Sequence, residues 1–355
     1  MKKHCLLFTS LFFLLVIKAN AQGGFSAIIK AAPDDATKLL NAYGEPLFKG
    51  IGVGLNSGWN NTARTKKLFH VDLRVSASGT FVSNPDKTFD VTKIGLSNNV
   101  RPDNASQVLA PTFAGNKSGT GPLLDIYDDN GRKVSSFNTP SGKLSVIPAP
   151  QIQLTVGLIQ NTDLTIRAIP SIKVGGDASS ISSIGFGLKH DIMQDIVGKT
   201  ADELIPFDLA VAVGYSHLTL SVPLTVNPDN GAQPANASQS TDFSNQHLSG
   251  SFNSFMGQLI LSKKILFFTP FVALGYNTTH TKAAAVGNYP VTTGATFTGT
   301  STYTTYTNPV NISETSLNGV RADIGFQLNL GFFRFYGSYS AAQYQSVNAG
   351  IGFGF

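Results

Sequence analysis

The run from Leu317 to Phe355 restricts this chain more than any other stretch. Between Val320 and Leu330 the even positions carry Val320, Ala322, Ile324, Phe326, Leu328 and Leu330, and the odd ones Arg321, Asp323, Gly325, Gln327 and Asn329. An unbroken period of two is what a β-strand with one oily and one wet face requires. Phe333, Phe335 and Tyr339 then share a face against Arg334, Tyr336, Ser338 and Ser340. Val347, Ala349, Ile351, Phe353 and Phe355 do the same against Ser346, Asn348 and three glycines. Three such strands in succession fit lipid outside and a wet lumen inside, so the expected fold is all-β, a transmembrane antiparallel β-barrel.

The start of the chain reads as an export leader. Lys2 and Lys3 precede an apolar core, Leu6 to Ile17, and Ala19-Asn20-Ala21 is a small-x-small cleavage site. Residues 1–21 are therefore expected to be a signal peptide, addressing the chain to the cell outer membrane of a Gram-negative-type envelope. Cys5, the one cysteine, leaves with it, so no disulfide or thiolate metal site is expected. Losing Lys2, Lys3 and Lys18 takes the formal charge from +5 to +2, too little to argue for nucleic acid. Only 13% of residues are charged, against 35 glycines and 25 phenylalanines, a poor composition for a fully hydrated surface.

Along the chain, Asp34 to Tyr43 reads as a short helix with acidic residues in its first turn and Gly44 as a stop. Residues 22–47 are taken as a periplasmic or plug segment and 48–355 as the barrel. The first strand is expected at Phe48 to Asn56, where Ile51, Val53 and Leu55 alternate with Gly50, Gly52 and Gly54. Trp59 just beyond suits a membrane interface or an ordinary loop. Further strands are expected at Lys67 to Val82, Thr88 to Leu96, Gln151 to Ile159, Thr162 to Lys173, Ser182 to His190, Phe207 to Val222, Gln246 to Ser262 and Leu266 to Thr279. With the three closing runs they make about twelve, within a range of ten to fourteen. In Gln246 to Ser262 the oily phase moves from even positions (Leu248, Phe252) to odd ones (Phe255, Leu259), which suggests a bulge. Segments 97–146, 223–245 and 282–315 then fall at one end as long outer loops, and the turns near 84–87, 161 and 263–264 at the other.

A secreted β-sandwich also alternates, but glycine in place of large polar side chains on the wet face argues against it. Lys38-Leu39-Leu40-Asn41-Ala42-Tyr43, Glu45-Pro46-Leu47 and Gly54-Leu55-Asn56-Ser57-Gly58-Trp59 resemble a family of uncharacterised bacterial outer-membrane β-barrel proteins, a domain of unknown function. So do the strand Pro148 to Leu158 and Gly185-Phe186-Gly187-Leu188-Lys189-His190-Asp191. That resemblance brings no catalytic residues. The layout is also similar to the long-chain fatty-acid transporter class, which implies a route for hydrophobic molecules.

Asp72, Asp208 and Asp323 with Arg74, Arg167, Arg321 and Arg334 are expected to line the lumen, either selecting a solute or pairing with one another. Phe267 and Phe271 are counted inward too, as an apolar lumen patch. The histidines show no metal-ligand spacing, and no Gly-x-Ser-x-Gly elbow occurs. His217 beside Ser216 and His247 beside Ser249 are the nearest approach to a nucleophile pair. Neither an enzyme nor a cofactor is expected. The expected partners are outer-membrane lipid, a small hydrophobic solute and the barrel-assembly machinery, the last through the strand ending at Phe355. The leading reading is a barrel that passes or binds a small solute. A barrel without transport, structural or interacting through its loops, and a soluble sandwich binding module are the alternatives.

Overall fold

The computed structural model describes residues 22–174, 179–198, 205–297 and 299–354. The leader and Phe355 lie outside the described residues. Ten antiparallel strands close into a barrel. They are β1 (Val71–Phe81), β2 (Val146–Gly157), β3 (Thr162–Val174), β4 (Ser179–Asp191), β5 (Asp208–Pro223), β6 (His247–Ser262), β7 (Phe268–Val286), β8 (Val310–Leu330), β9 (Phe333–Ala341) and β10 (Gln345–Gly354). Each pairs with its chain neighbours, and β1 pairs with β10 from Asp72↔Gly354 to Phe81↔Gln345 to seal the wall. Alternation sorts the side chains as expected. Leu154, Phe186, Val213, Leu259, Leu274, Ile324, Phe335 and Ile351 form an exposed apolar belt, while Ser76, Gln153, Arg167, Ser254 and Asn348 are buried inside.

Two expected strands are absent from the wall, which is why it has ten strands and not twelve. Thr88 to Leu96 contributes only a three-residue pairing, Thr88–Asp90 with Leu109–Pro111, outside the barrel. Phe48 to Asn56 is not extended at all. It is the second half of one helix, preceded by a short one, α1 (Gln22–Ile28), and running as α2 over Pro33–Asn56. Pro33 at the first turn and Asp34 and Asp35 behind it start α2 as expected. Gly44 and Pro46 do not stop it. Leu39, Tyr43, Leu47, Ile51 and Leu55 recur at i+4, and this period carries the helix through.

α2 runs inside the barrel. Its first half meets segment 82–145, which folds over the loop end as a cap containing a three-stranded sheet (Val100–Pro102, Leu123–Tyr127, Lys133–Asn138). Phe25 and Tyr43 pack edge to face at 5.3 Å, and Phe113 of the cap stacks on Phe25 at 6.2 Å. Asp35 accepts hydrogen bonds from the Ser97 amide (2.8 Å) and hydroxyl (2.5 Å). Further down, glycine makes room. A Cβ on Gly50 or Gly54 would come within 2.6–2.7 Å of Ile147 or Ala149, and one on Gly52 within 2.7 Å of Thr279 across the lumen. A ten-stranded barrel is little wider than one whose own side chains fill it, so a helix fits only where it is slim on both sides.

The strand directions put 82–145, 224–246 and 287–309 at one end and the turns 158–161, 263–267 and 331–332 at the other. The turn at 84–87 lies in the cap, at the loop end and not at the turn end. The phase change in β6 is no bulge. Its register is continuous on both sides, with even positions inward throughout. Leu248 and Phe252 are oily because the lumen there is oily, and Phe252 packs on Phe48 of α2 at 6.1 Å. Register shifts fall instead between β7 and β8, at Thr279/His280, and between β3 and β4, at Ile169/Ile172. No helix among the described residues is long and apolar enough to cross a membrane.

Candidate functional site

Three strands aim an arginine at the C-terminal end of α2. Arg167 of β3 donates to the Leu55 carbonyl at 2.9 Å and to that of Ser57 at 3.3 Å. Arg321 of β8 donates to Asn56 at 2.7 Å, and Arg74 of β1 to Gly58 and Trp59 at 2.6 and 3.0 Å. A helix leaves its last carbonyls unpaired and carries partial negative charge at that end, so cations are the fitting partners. Glutamines complete the collar: Gln151 donates to Gly54 at 2.8 Å and Gln153 to Trp59 at 3.2 Å.

Trp59 is the pivot of this arrangement. Its indole N–H donates back to Leu55 at 3.1 Å, and the Arg167 guanidinium sits 3.9 Å over its ring. The ring lies flat against glycines, since a Cβ on Gly187 or Gly214 would come 2.7–2.8 Å from it. The tryptophan expected at an interface or in a loop is thus 4% exposed at the lumen centre. The glycines of β4 and β5 make its seat.

The expected carboxylates face inward and pair. Asp323 accepts from Arg321 at 2.6 and 3.0 Å. Asp72 meets Arg334, the Tyr336 hydroxyl at 3.1 Å and Lys66 at 3.6 Å. Asp208 meets Arg64 at 3.2 Å. Phe271 is buried inward beside Ile260, Ala63 and Ala273. Phe267 is not in the lumen: it sits in the β6–β7 turn, 55% exposed. From Asn60 the chain leaves the lumen at the turn end, where the Lys66 amide donates to Asp163 at 2.8 Å. Burial pushes the Lys66 amine down to about 8, against the pull of Asp72. His217 bonds Asn253 at 2.8 Å and His247 the Asn245 carbonyl at 3.1 Å, so neither is joined to its neighbouring serine.

On the other side of α2 is an apolar chamber of about 130 Å³, lined by Leu47, Ile51 and Leu55 of the helix and by Ile147, Ile169 and Leu218 of the wall. It reaches Pro148 and Pro150, which face outward along β2, so it extends through the wall. There the wall has a seam. β2 and β3 pair only from Ile152↔Ala168 to Gly157↔Asp163, while the upper part of β2 pairs with β1 and that of β3 with β4. An open strand edge in lipid costs several kcal/mol for each unpaired polar group, on the order of a lost hydrogen bond in hydrocarbon. Pro148, Pro150 and Pro170 lower that cost because they have no N–H to leave unpaired.

A family model matches residues 1–355. The chain belongs to DUF6588, a family of unknown function. No curated protein matches it. Among solved structures it is similar to Ail, the attachment invasion locus protein of Yersinia pestis, with 10% identity over 81% of this chain and 100% of that one, at a TM-score of 0.27. It is similar to the translocator domain of autotransporter NalP from Neisseria meningitidis (12% identity, 87% and 94% covered, TM-score 0.28). A third is the Ralstonia pickettii toluene transporter TbuX (9% identity, 87% and 97% covered, TM-score 0.28). The DUF6588 match meets the expectation of an uncharacterised family. The finer likeness to the long-chain fatty-acid transporter class stays an expectation.

The sequence placed the arginines of this DUF6588 chain inside the barrel but missed what they hold. The alternation puts Gln151 and Gln153 on the wet face without naming their partners, Trp59 is expected at an interface or in a loop, and no local pattern marks Lys66 or the chamber. The i+4 run from Leu39 to Leu55 and the prolines at 148, 150 and 170 were the available signals.

Proposed function

We propose that the protein is an outer-membrane barrel that binds a small apolar solute in the chamber beside α2 and exchanges it sideways with the bilayer through the β2–β3 seam, without catalysis. The observation that carries this reading is the chamber itself, apolar on every side and continuous with an unpaired stretch of wall. A dry cavity of about 150 Å³ is known to take a benzene-sized molecule, which sets the scale of the solute. The exposed apolar belt supports the membrane setting, and the similarity to fatty-acid transporters implied such a route. An aqueous pore fits less well, because the collar and the cap occupy the lumen.

The test is binding of a fluorescent apolar probe, such as N-phenylnaphthylamine, to the full-length protein in detergent and in vesicles. Filling the chamber with Ile169→Phe and Leu218→Phe should abolish saturable binding while heat-modifiable gel migration of the barrel persists. Undiminished binding in that variant would remove the chamber from the account. Recovery of the native protein in the soluble fraction would end the membrane reading.

A further inference from the structure

We propose a second site, for a phosphate group, in the vestibule at the turn end of the barrel, where the chain leaves the lumen. It is a polar cavity of about 320 Å³, separate from the apolar chamber and on the opposite side of the collar. Arg64, Lys66, Lys67, Lys264 and Arg334 line it together with His70. Two carboxylates answer these five cations: Asp208 pairs with Arg64, and Asp72 is shared by Lys66 and Arg334. Among the described residues three positive charges are left over. Among the described residues neither Lys67 nor Lys264 has an acidic partner, and both are exposed toward the opening.

The convergence is built by the fold. Arg64, Lys66 and Lys67 come from the segment that threads out of the lumen, Lys264 from the β6–β7 turn, and Arg334 from the start of β9. These elements are far apart in sequence and meet around one hollow, so the excess charge is not a run of basic residues on a hydrated strand. Like charges held together raise one another's energy, and a concave, partly desolvated wall sharpens the field. A doubly charged group relieves this better than a carboxylate. The forked donors of Arg64 and Arg334 and the point charges of the lysines match the oxygens of a phosphate. Thr65, Thr269 and Gln327 add neutral polar groups around the wall. At this volume the hollow takes more than a bare ion, so the ligand class is a phosphate ester or a diphosphate. Phe69 and Phe332 stand exposed at the same turn end of the barrel. The phosphate can therefore belong to a lipid headgroup or to a soluble ester, with the same chemistry at the site.

The experiment uses the full-length protein and two probes. Calorimetric titration with inorganic pyrophosphate in detergent reports a soluble ligand. Vesicles of phosphatidylglycerol against phosphatidylcholine, with the lipid retained on purified protein then counted, report a headgroup. Saturable, salt-sensitive binding in either arm is expected, weakened by about tenfold or more in Lys67→Gln with Lys264→Gln. Apolar-probe binding and heat-modifiable migration should be unchanged in that variant, which keeps this site distinct from the chamber. Binding confined to pyrophosphate assigns a soluble ester, and retention confined to phosphatidylglycerol assigns a headgroup. No pyrophosphate binding together with equal retention of the two lipids would overturn the proposal. So would equal binding by the double variant.

Discussion

If the collar holds the plug, weakening it should open the barrel by a calculable factor. Arg167→Met keeps an unbranched apolar stem and removes the guanidinium with its charge and all its donors. The Ser57 carbonyl, bonded at 3.3 Å, then loses its arginine, and the Leu55 carbonyl, bonded at 2.9 Å, keeps only the Trp59 indole N–H. A hydrogen bond to a charged group contributes a net ~1.5–3 kcal/mol, and a cation at a partly buried helix C-terminus up to ~2 kcal/mol. These are two descriptions of one interaction, so the loss is about 2 kcal/mol. At 1.4 kcal/mol per factor of ten, the ratio of docked to released plug falls about 30-fold. Adding Arg321→Met removes the Asn56 contact at 2.7 Å, and because the two like-charged arginines share one collar the summed loss of about 4 kcal/mol, near a thousandfold, is an upper bound. Single-channel recording in planar bilayers reads this as the fraction of time spent open. The wild type should be almost always closed, Arg167→Met should flicker, the double variant should open often, and deletion of residues 25–56 should conduct steadily. If the deletion conducts and the arginine variants stay as closed as wild type, the collar does not hold the plug. If the deletion does not conduct either, the plug is not what closes the lumen.

Trp59 is the only tryptophan, so its emission reports docking directly. Gly214→Val places atoms where even a Cβ lies 2.8 Å from the ring, and should shift the emission to the red with the barrel still heat-modifiable; an unmoved spectrum refutes the seat. Lys66 gives a pH signature. Between about pH 8 and its ordinary 10.5 the folded chain leaves the amine neutral while the unfolded chain keeps it protonated. The unfolded state then binds more protons, so stability rises with pH across that window, and below it the buried charge exerts its full penalty. Urea midpoints of wild type relative to Lys66→Met should therefore move in favour of wild type from pH 8 to 10, and a pH-independent difference counts against this. Replacing Pro148, Pro150 and Pro170 together by valine restores three N–H donors to the seam. The apolar probe should then exchange severalfold more slowly in stopped-flow, and an unchanged rate means the seam is not the route.

The wall was legible because lipid outside and a polar interior impose one rule on every strand. Val320 to Leu330 and Val347 to Phe353 obey it throughout. The reading failed where the interior stops being polar. Leu248 and Phe252 broke the apparent phase of β6 because a helix, not water, stands opposite them. Gly50, Gly52 and Gly54 mimicked the small face of a strand, yet their smallness answers to close approach on two sides of a helix. The same run satisfied both periods, and only the i+4 series beginning at Leu39 told them apart. The site was half visible. Charge and alternation put Arg74, Arg167 and Arg321 inside, but no local pattern states that an arginine's partner is a backbone carbonyl more than a hundred residues away, as Leu55 is from Arg167.

The strand that follows the plug, β1, is also the one that receives β10, and this fixes an order of assembly. The hydrogen bonds from Asp72↔Gly354 to Phe81↔Gln345 join the two ends of the array, and closing the longest stretch of chain in the wall makes them the pairing expected last. A helix packed at both flanks under a folded lid is most easily enclosed while that zip is still open, and the release read by the arginine variants is that of its C-terminal end from the collar. The cylinder is then wrapped around its own filling, and the close fit at Gly50, Gly52 and Gly54 matches the curl of the sheet to the girth of the helix.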